Sequence, residues 1–132
     1  MGGTIFKIEK TGDVSILTLT LDSVAEDQNR ELTGIFSSLI DNGSNKIVLD
    51  LSNTVYIASM VLSSMMFFLK KAKTSGGDLV ISGVNDRIRE ILKTTKLDKV
   101  FRVFDGKTEA VSYFEGKHKA FGKRGIFGRF LR

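Results

Sequence analysis

The sequence predicts a single α/β domain whose β-sheet is mixed but mostly parallel and is packed with about four helices. Strand and helix patterns alternate along the chain from residue 22 onward, which favours a parallel sheet covered by helices. Two alternating strands precede that region and are separated by the turn Gly12-Asp13, so they predict a hairpin that adds an antiparallel edge. The 132 residues are 42% hydrophobic and 27% charged, which suits one globular domain.

The first third of the chain predicts the hairpin and one helix. Apolar and polar residues alternate over residues 4–10 and again over residues 14–21, as expected for half-buried strands. Asp22-Ser23 is expected to cap the following helix, which ends at Asp41-Asn42-Gly43 with Gly43 in the left-handed position. The apolar residues of that helix recur at helical spacing: Leu32, Ile35, Phe36, Leu39 and Ile40.

The rest of the body predicts buried strands separated by helices. The strands cover residues 47–51, 78–82 and, more briefly, 99–104. A long amphipathic helix begins near Ser59 and stops at Ser75-Gly76-Gly77. Its buried stripe contains Val61, Met65, Phe68, Leu69 and Ala72. A shorter helix follows the cap Asn85-Asp86, and a last helix covers about residues 107–114.

The net charge of +5 is concentrated at the C-terminus. Residues 117–132 contain six Lys or Arg and no Asp or Glu, whereas residues 1–116 contain 14 basic and 15 acidic residues. We therefore divide the chain into a domain over residues 1–116 and a basic, aromatic-rich tail over residues 117–132. The tail residues expected to contact an anionic membrane surface or a partner protein are Lys123, Arg124, Phe127, Arg129, Phe130 and Arg132.

Two other interpretations of the tail remain open. A disordered, solubilising segment would carry similar charge, although exposed aromatic residues are unusual in one. Basic residues with interleaved aromatic residues also permit weak binding of single-stranded nucleic acid. The body is nearly neutral and adds no basic groove, so we expect no specific nucleic-acid binding.

Composition and the N-terminal sequence favour a cytoplasmic protein. Cysteine is absent, which excludes disulfides and thiolate metal sites and fits a reducing compartment. No apolar run reaches the roughly 18 residues that a membrane-spanning helix needs. The first residues carry no secretory signal pattern. We expect a cytoplasmic location, with the tail allowing peripheral attachment to the inner face of the membrane.

The common catalytic motifs are missing from the sequence. There is no Gly-rich phosphate loop followed by Lys-Ser or Lys-Thr, and no nucleophile elbow surrounds a serine. The sole histidine, His118, lies in the tail, and Asp50 ends a buried strand with no evident partner. We therefore predict a protein that is not an enzyme and that uses no metal or cofactor.

Ser59 is the residue with the most informative position, because it lies where a loop passes into the long amphipathic helix. In a purely structural role, its hydroxyl accepts a hydrogen bond from a free N–H group of the first helical turn. In a functional role, it is a phosphorylation site, because a helix N-terminus accommodates a phosphate through free N–H groups and its dipole. The residue pattern alone favours the structural role.

A family resemblance rests on segments that follow one another in a characteristic order. These segments are KIVLDLSN at 46–53, YIAS at 56–59, GGDLVISGV at 76–84, RIREIL at 87–92 and LDKVF at 97–101. Over about residues 4–114 the chain resembles the STAS domain family, anti-sigma factor antagonist type. The resemblance implies a small mixed sheet with helices that acts as a partner-switching module.

The resemblance also implies partners and site residues. The best-known members of the family bind a kinase anti-sigma factor when unphosphorylated and release it once a serine at the start of the second helix is phosphorylated. A metal-dependent serine phosphatase resets them. That serine corresponds to Ser59, and the implied partner-binding residues are Ala58, Ser59, Met60 and Ser63.

The sequence departs from the family at this motif, where Ala58-Ser59-Met60-Val61 replaces Asp-Ser-Ser/Thr-Gly. Loss of the Asp removes a carboxylate from the loop, and we expect Val61 to hinder the approach of a kinase. The alternative function is therefore a non-phosphorylated STAS scaffold or a subunit of a membrane-associated complex for stress sensing or transport. A nucleotide-responsive domain is a weaker third alternative, because no phosphate loop supports it.

Overall fold

The computed structural model describes residues 5–116, and the residues singled out in the tail lie outside this range. The elements in chain order are β1 (Phe6–Thr11), β2 (Val14–Leu19), β3 (Ser23–Val24), α1 (Asn29–Asp41), β4 (Lys46–Asp50), β5 (Tyr56–Ile57), α2 (Ser59–Thr74), β6 (Asp78–Ser82), α3 (Asp86–Thr94), β7 (Val103–Phe104) and α4 (Lys107–Phe114). Short 3₁₀ turns cover Glu26–Gln28 and Leu97–Lys99.

The main sheet has five strands in the order β1-β2-β4-β6-β7. The hairpin strands β1 and β2 are antiparallel, and the pairs β2–β4, β4–β6 and β6–β7 are parallel. A separate two-stranded parallel sheet joins β3 to β5. This arrangement confirms the predicted α/β fold with a mixed, mostly parallel sheet and four helices.

The alternation of side chains along the central strands explains why helices lie on both faces of the sheet. In β4, Ile47 and Leu49 belong to the larger core, which α1, α2 and α3 cover. Val48 points to the opposite face and packs with Val80 and with Ala110 of α4. A strand with apolar residues at successive positions is therefore buried on both faces.

Three aromatic rings link the hairpin to the first two helices. The rings of Phe36 in α1 and Phe68 in α2 are stacked, with centroids 5.3 Å apart. Phe6 of β1 meets Phe36 edge-on at 6.1 Å. Each such pair contributes about 0.5–1.5 kcal/mol beyond the burial of its area. The contacts fix α1 and α2 against the same face of the sheet.

The structure corrects two of the predicted elements. Ser23 does not cap a helix, because Ser23–Val24 pairs with Tyr56–Ile57, and α1 begins only at Asn29. The last strand is shorter than predicted, because Leu97 and Phe101 both turn into the larger core at helical rather than strand spacing. Val100, which lies between them in sequence, is exposed.

Helix α4 is held to the sheet by a polar contact at its C-terminal end. The hydroxyl of Tyr113 donates a 2.8 Å hydrogen bond to Oδ2 of the buried Asp78. Nε of Arg102 lies 3.8 Å from the same oxygen, and its guanidinium lies over the Tyr113 ring, 5.0 Å from the centroid. Burial and the adjacent Asp78 carboxylate raise the pKa of Tyr113 above its ordinary value of 10.0.

The raised pKa of Tyr113 predicts a loss of stability in alkali. A pKa that is higher in the folded than in the unfolded chain stabilises the fold below about pH 10, and this stabilisation is lost as the pH rises through the folded pKa. Tyr113→Phe should cost about 1 kcal/mol near neutral pH and should remove this alkaline loss. Urea unfolding of both proteins between about pH 8 and pH 11 measures the difference. An equal decline in both proteins would contradict the assignment.

Candidate partner-docking site

The loop before α2 is anchored by the carboxylate of Asp50, which lies at the C-terminal end of β4 and is buried. Oδ1 of Asp50 accepts hydrogen bonds from the backbone N–H of Ser52 at 3.1 Å and from the Ser52 hydroxyl at 2.5 Å. Oδ2 accepts a bond from the hydroxyl of Ser82, at the end of β6, at 2.8 Å. The sequence offered no evident partner for Asp50. The structure shows that its side-chain hydrogen-bond partners are two serine hydroxyls.

The backbone after β6 approaches this carboxylate closely. Gly83 has a positive φ of +73°, and a Cβ atom at that position would lie 3.0 Å from Oδ2 of Asp50. Glycine satisfies both the backbone conformation and the short distance. A larger residue at this corner would be strained in its backbone and would press on Asp50 and Ser52.

Thr54 fixes the middle of the same loop, and its side chain is fully buried. Its N–H donates to the carbonyl of Leu51 at 3.0 Å, and its hydroxyl donates to the carbonyl of Leu21 at 2.7 Å. Its carbonyl accepts a 2.6 Å bond from Nδ2 of Asn85. Oδ1 of Asn85 also accepts from the N–H of Ile88, which confirms Asn85 as the cap of α3.

The short β3–β5 sheet then carries the chain to α2. The N–H groups of Val55 and Tyr56 both donate to the carbonyl of Asp22, at 2.7 and 3.2 Å. The N–H of Ala58 donates to the carbonyl of Val24 at 2.9 Å. These bonds make Ala58 the N-cap residue of α2, with φ −68° and ψ 153°. Ser59 is consequently the first residue of the helix and is exposed.

The structural role considered for Ser59 is wrong. The carbonyl of Ala58 accepts from the N–H groups of Val61 and Leu62, and no side chain caps the helix. Because Ala58 occupies the N-cap position, the Ser59 hydroxyl lies one residue too late to close the first turn. Within residues 5–116 this hydroxyl makes no hydrogen bond. The N–H groups of Ser59 and Met60 are left at the open end of the helix.

The predicted docking residues divide into exposed and buried members. Ser59, Met60 and Ser63 lie on the surface. Ala58 is buried, so its methyl group is unavailable to a partner. Val61 is also fully buried and belongs to the larger core, which contradicts the expectation that its side chain hinders a kinase.

Three further apolar side chains extend the exposed surface around Ser59 and Met60. Val55 and Tyr56 precede the helix and are 42% and 50% exposed, although the sequence alone did not single them out. Phe67, two turns after Met60, is 56% exposed. Large apolar side chains that cluster at the surface are typical of protein-binding sites. We name Val55, Tyr56, Met60 and Phe67, together with Ser59 and Ser63, the α2 surface.

The residues of the α2 surface are uncharged, and the basic residues of the helix lie beyond them at its C-terminal end. Helix α2 contains three lysines, Lys70, Lys71 and Lys73, and no Asp or Glu. The positive end of the helix dipole lies at Ser59. Nζ of Lys71 lies 5.8 Å from the centre of the Phe67 ring, which gives a cation–π contact at the exposed face.

Two other predicted features concern metals and membranes. Within residues 5–116, no group of three or more His, Asp or Glu side chains is arranged to hold a metal ion. His118 and the tail residues Lys123, Arg124, Phe127, Arg129, Phe130 and Arg132 lie outside the described residues. None of the helices in the described part of the chain is long and apolar enough to span a bilayer.

The described residues form a small α/β domain with exposed apolar side chains beside the first turn of α2. The chain belongs to the STAS domain family, because the model of that family matches residues 6–110. This family of anti-sigma factor antagonists comprises non-enzymatic regulators.

Known proteins share both the sequence and the fold. A candidate anti-sigma factor antagonist of Thermotoga neapolitana is 27% identical over 113 residues, which cover 86% of this chain and 100% of that protein. The crystal structure of a candidate anti-sigma factor antagonist of Thermotoga maritima is 26% identical, with a TM-score of 0.76 over 83% of this chain and 94% of that one.

A more distant structure shares the fold alone. SpoIIAA of Bacillus in its phosphorylated form is 13% identical, with a TM-score of 0.66, covering 83% of this chain and 98% of that one. SpoIIAA is described as an anti-sigma factor antagonist and has also been solved in its unphosphorylated form.

The free hydroxyl of Ser59 predicts the effect of its substitution on stability. Ser59→Ala should change the unfolding free energy by less than about 0.5 kcal/mol, because no hydrogen bond is lost. Ser59→Glu should raise it by about 0.3–1 kcal/mol, because the first turn has no acidic residue to interact with the dipole. Urea denaturation measures both changes, and Ser63→Glu, one turn further on, is the control with a smaller gain. A loss of about 1 kcal/mol in Ser59→Ala would mean that the hydroxyl caps the helix.

Proposed function

We propose that this chain is an anti-sigma factor antagonist that docks through the α2 surface and is switched by phosphorylation of Ser59. Its partner is a kinase-type anti-sigma factor, and a serine phosphatase restores the binding state. The observation that carries the proposal is the exposed Ser59 hydroxyl, which has no hydrogen bond within residues 5–116 and lies at the uncapped N-terminus of α2.

The surroundings of Ser59 suit a reversible phosphate. The phosphate adds about two negative charges, and the open N–H groups and the helix dipole stabilise them. The hydroxyl supports no other part of the fold, so a kinase can modify it without breaking a structural contact. The domain stays folded while the charge of its docking surface changes.

The exposed apolar side chains of the α2 surface support the docking part of the proposal. Tyr56 and Met60 lie on either side of Ser59 in sequence and are about half exposed. A partner that covers them also covers the modified hydroxyl, so a phosphate at Ser59 lies inside the interface. A phosphate buried against a partner without matching cations is strongly unfavourable.

One observation favours a second function, a docking domain that is never phosphorylated. Ala58 places no acidic side chain at the N-cap, whereas the family motif has Asp at the corresponding position. Such a domain would act as a scaffold or as a subunit of a membrane-associated complex, in which the basic tail supplies the membrane contact. The same α2 surface would then bind its partner permanently.

Phosphorylation of Ser59 can be tested with the purified anti-sigma factor kinase of the same organism and ATP. Mass spectrometry should find one phosphate on the wild-type chain and on Ser63→Ala, and none on Ser59→Ala. Ser63 is the matched control, because it is an exposed serine one turn further along the same helix. Titration calorimetry should show that phosphorylation weakens binding at least about tenfold, or roughly 1.4 kcal/mol.

Two results would contradict the switch. Phosphate on another residue would mean that a site other than Ser59 regulates partner binding. Unmodified Ser59 with tight and unchanged binding would favour the permanent docking domain instead.

A further inference from the structure

A groove runs beside Ser59, between the N-terminal half of α2 and the turn that follows α3. Its volume is about 240 Å³, and its lining residues are Ser59, Leu62, Ser63, Met66, Thr95 and Leu97. We name it the Ser59 groove. It is smaller than the roughly 300–1,000 Å³ of typical small-molecule sites, so it suits an inserted side chain better than a free ligand.

The floor of the Ser59 groove is apolar and belongs to the core. Leu62 and Leu97 are almost fully buried, and Met66 packs against the same cluster. Ser59 and Ser63 form the rim on α2, at i and i+4. An apolar side chain of a partner can therefore reach core residues through this opening, as anchor residues of interfaces do.

On the opposite side of the groove, a lysine in an unfavourable backbone conformation lies between two lining residues. Lys96 lies between the lining residues Thr95 and Leu97, with φ 63° and ψ 16°. It is the one residue other than glycine with a positive φ within residues 5–116. Its N–H donates to the carbonyl of Lys93 at 3.1 Å, and its carbonyl accepts from Lys99 at 3.2 Å, which holds this conformation on both sides.

The other α-helices within residues 5–116 have glycine at the equivalent position. The residue after the C-cap of α1, α2 and α4 is a glycine with a positive φ: Gly43, Gly76 and Gly116. After α3, the C-cap is Thr95 and the next residue is Lys96. Glycine is the usual residue at this position because it has no Cβ to strain. A lysine there is less favourable than a glycine, and it lies directly beside the lining residues of the Ser59 groove.

The charges around the groove define the chemistry of the occupant. None of the six lining residues is charged, α2 has no acidic residue, and Lys70 continues the line of Ser59, Ser63 and Met66. No ion pair engages Lys70 or Lys96 within the described part of the chain. Asp98 follows the lining residue Leu97, but lysines outnumber acids in the segment 93–99, so the matching surface is acidic.

This charge excludes two occupants from the chain itself. The tail over residues 117–132 carries six Lys or Arg and no acid, so it would be repelled. A second copy docked through the same surface would place the same lysines against one another. An acidic partner protein remains.

We propose that the Ser59 groove receives an apolar side chain of the partner protein, and that a carboxylate beside that side chain pairs with Lys96. Lys96 is then a specificity-determining residue of the interface. The inference rests on the proposed function, and it adds the chemistry of the partner. It also accounts for release, because a phosphate on Ser59 would lie on the rim of the same groove, repel the partner carboxylate and compete for Lys96.

The first experiment identifies the partner through the α2 surface. The full chain carries the photocrosslinking residue p-benzoylphenylalanine in place of the exposed Phe67, which does not line the groove, in one sample and at Thr108, which lies on α4 across the sheet, in another. Crosslinking in the native cell, followed by mass spectrometry, should give one protein from position 67 and not from position 108. A failure to crosslink from position 67 would overturn both this inference and the proposed function.

The second experiment uses the protein captured at position 67 as the purified probe in titration calorimetry. Lys96→Gly removes the ammonium and the backbone strain together, so it should raise the melting temperature by about 1–4 °C while weakening binding at least about tenfold. The salt dependence of the Kd should also become shallower. Lys96→Arg should retain binding, and Lys73→Ala, which removes a cation at the far end of α2, should leave it unchanged.

A stabilised Lys96→Gly protein with unchanged affinity would overturn this inference and leave the proposed function standing. Equal losses of affinity in Lys96→Gly and Lys73→Ala would mean that only the total positive charge matters. That result would also contradict a specific pair between Lys96 and a partner carboxylate. A loss of stability in Lys96→Gly would mean that Lys96 stabilises the folded domain, which would contradict its assignment as a binding residue.

Discussion

The buried carboxylate of Asp50 is the constraint on which the proposed docking site depends. It lies where β4 ends, accepts three hydrogen bonds from Ser52 and Ser82, and thereby joins the loop before α2 to the neighbouring strand. A buried carboxylate is costly unless its oxygens are satisfied. These two serines satisfy it at the edge of the sheet where the loop must turn. Once the loop turns there, Thr54 can make its hydrogen bonds to Leu21 and Asn85.

The direction in which Ser59 points follows from the core. The buried stripe of α2, from Val61 to Ala72, packs on the sheet together with α1 and sets the rotation of the helix. With that rotation fixed, Ser59, Met60, Ser63 and Phe67 must face outward. The surface on which a partner can dock is therefore a consequence of how the core is packed. A phosphate can be added there without cost to the packing.

Periodicity alone predicted most of the fold. The buried stripe of α2 and the doubly buried strands β4 and β6 are strong local patterns, and they were confirmed. The pair Ser23–Val24 was missed because two residues carry no period, and their strand exists only through contact with Tyr56–Ile57. The same stripe already placed Val61 inside, so the expectation that it hinders a kinase conflicted with the pattern. The start of α2 near Ser59 was confirmed, but the cap at Ala58 was not predictable, because it depends on the bond from the Ala58 N–H to the carbonyl of Val24.

Neither the left-handed conformation of Lys96 nor the exposure of Tyr56 could be predicted from the sequence. Both depend on the exact end of an element, and local propensity fixes such ends to within about two residues. In this STAS domain the periodic segments predict the fold, whereas the residues of the proposed docking site depend on the loops that join those segments.

Hydrogen exchange of the Asp50→Asn protein tests most directly whether this carboxylate positions the docking site. Asparagine keeps the shape of the side chain but places a donor where a hydroxyl also donates. We expect the amides of Ser52, Thr54 and Ala58 to exchange much faster, while the amides of β4 and β6 keep their protection. Unchanged exchange of the loop amides, or an equal loss of protection across the sheet, would contradict the central role assigned to Asp50.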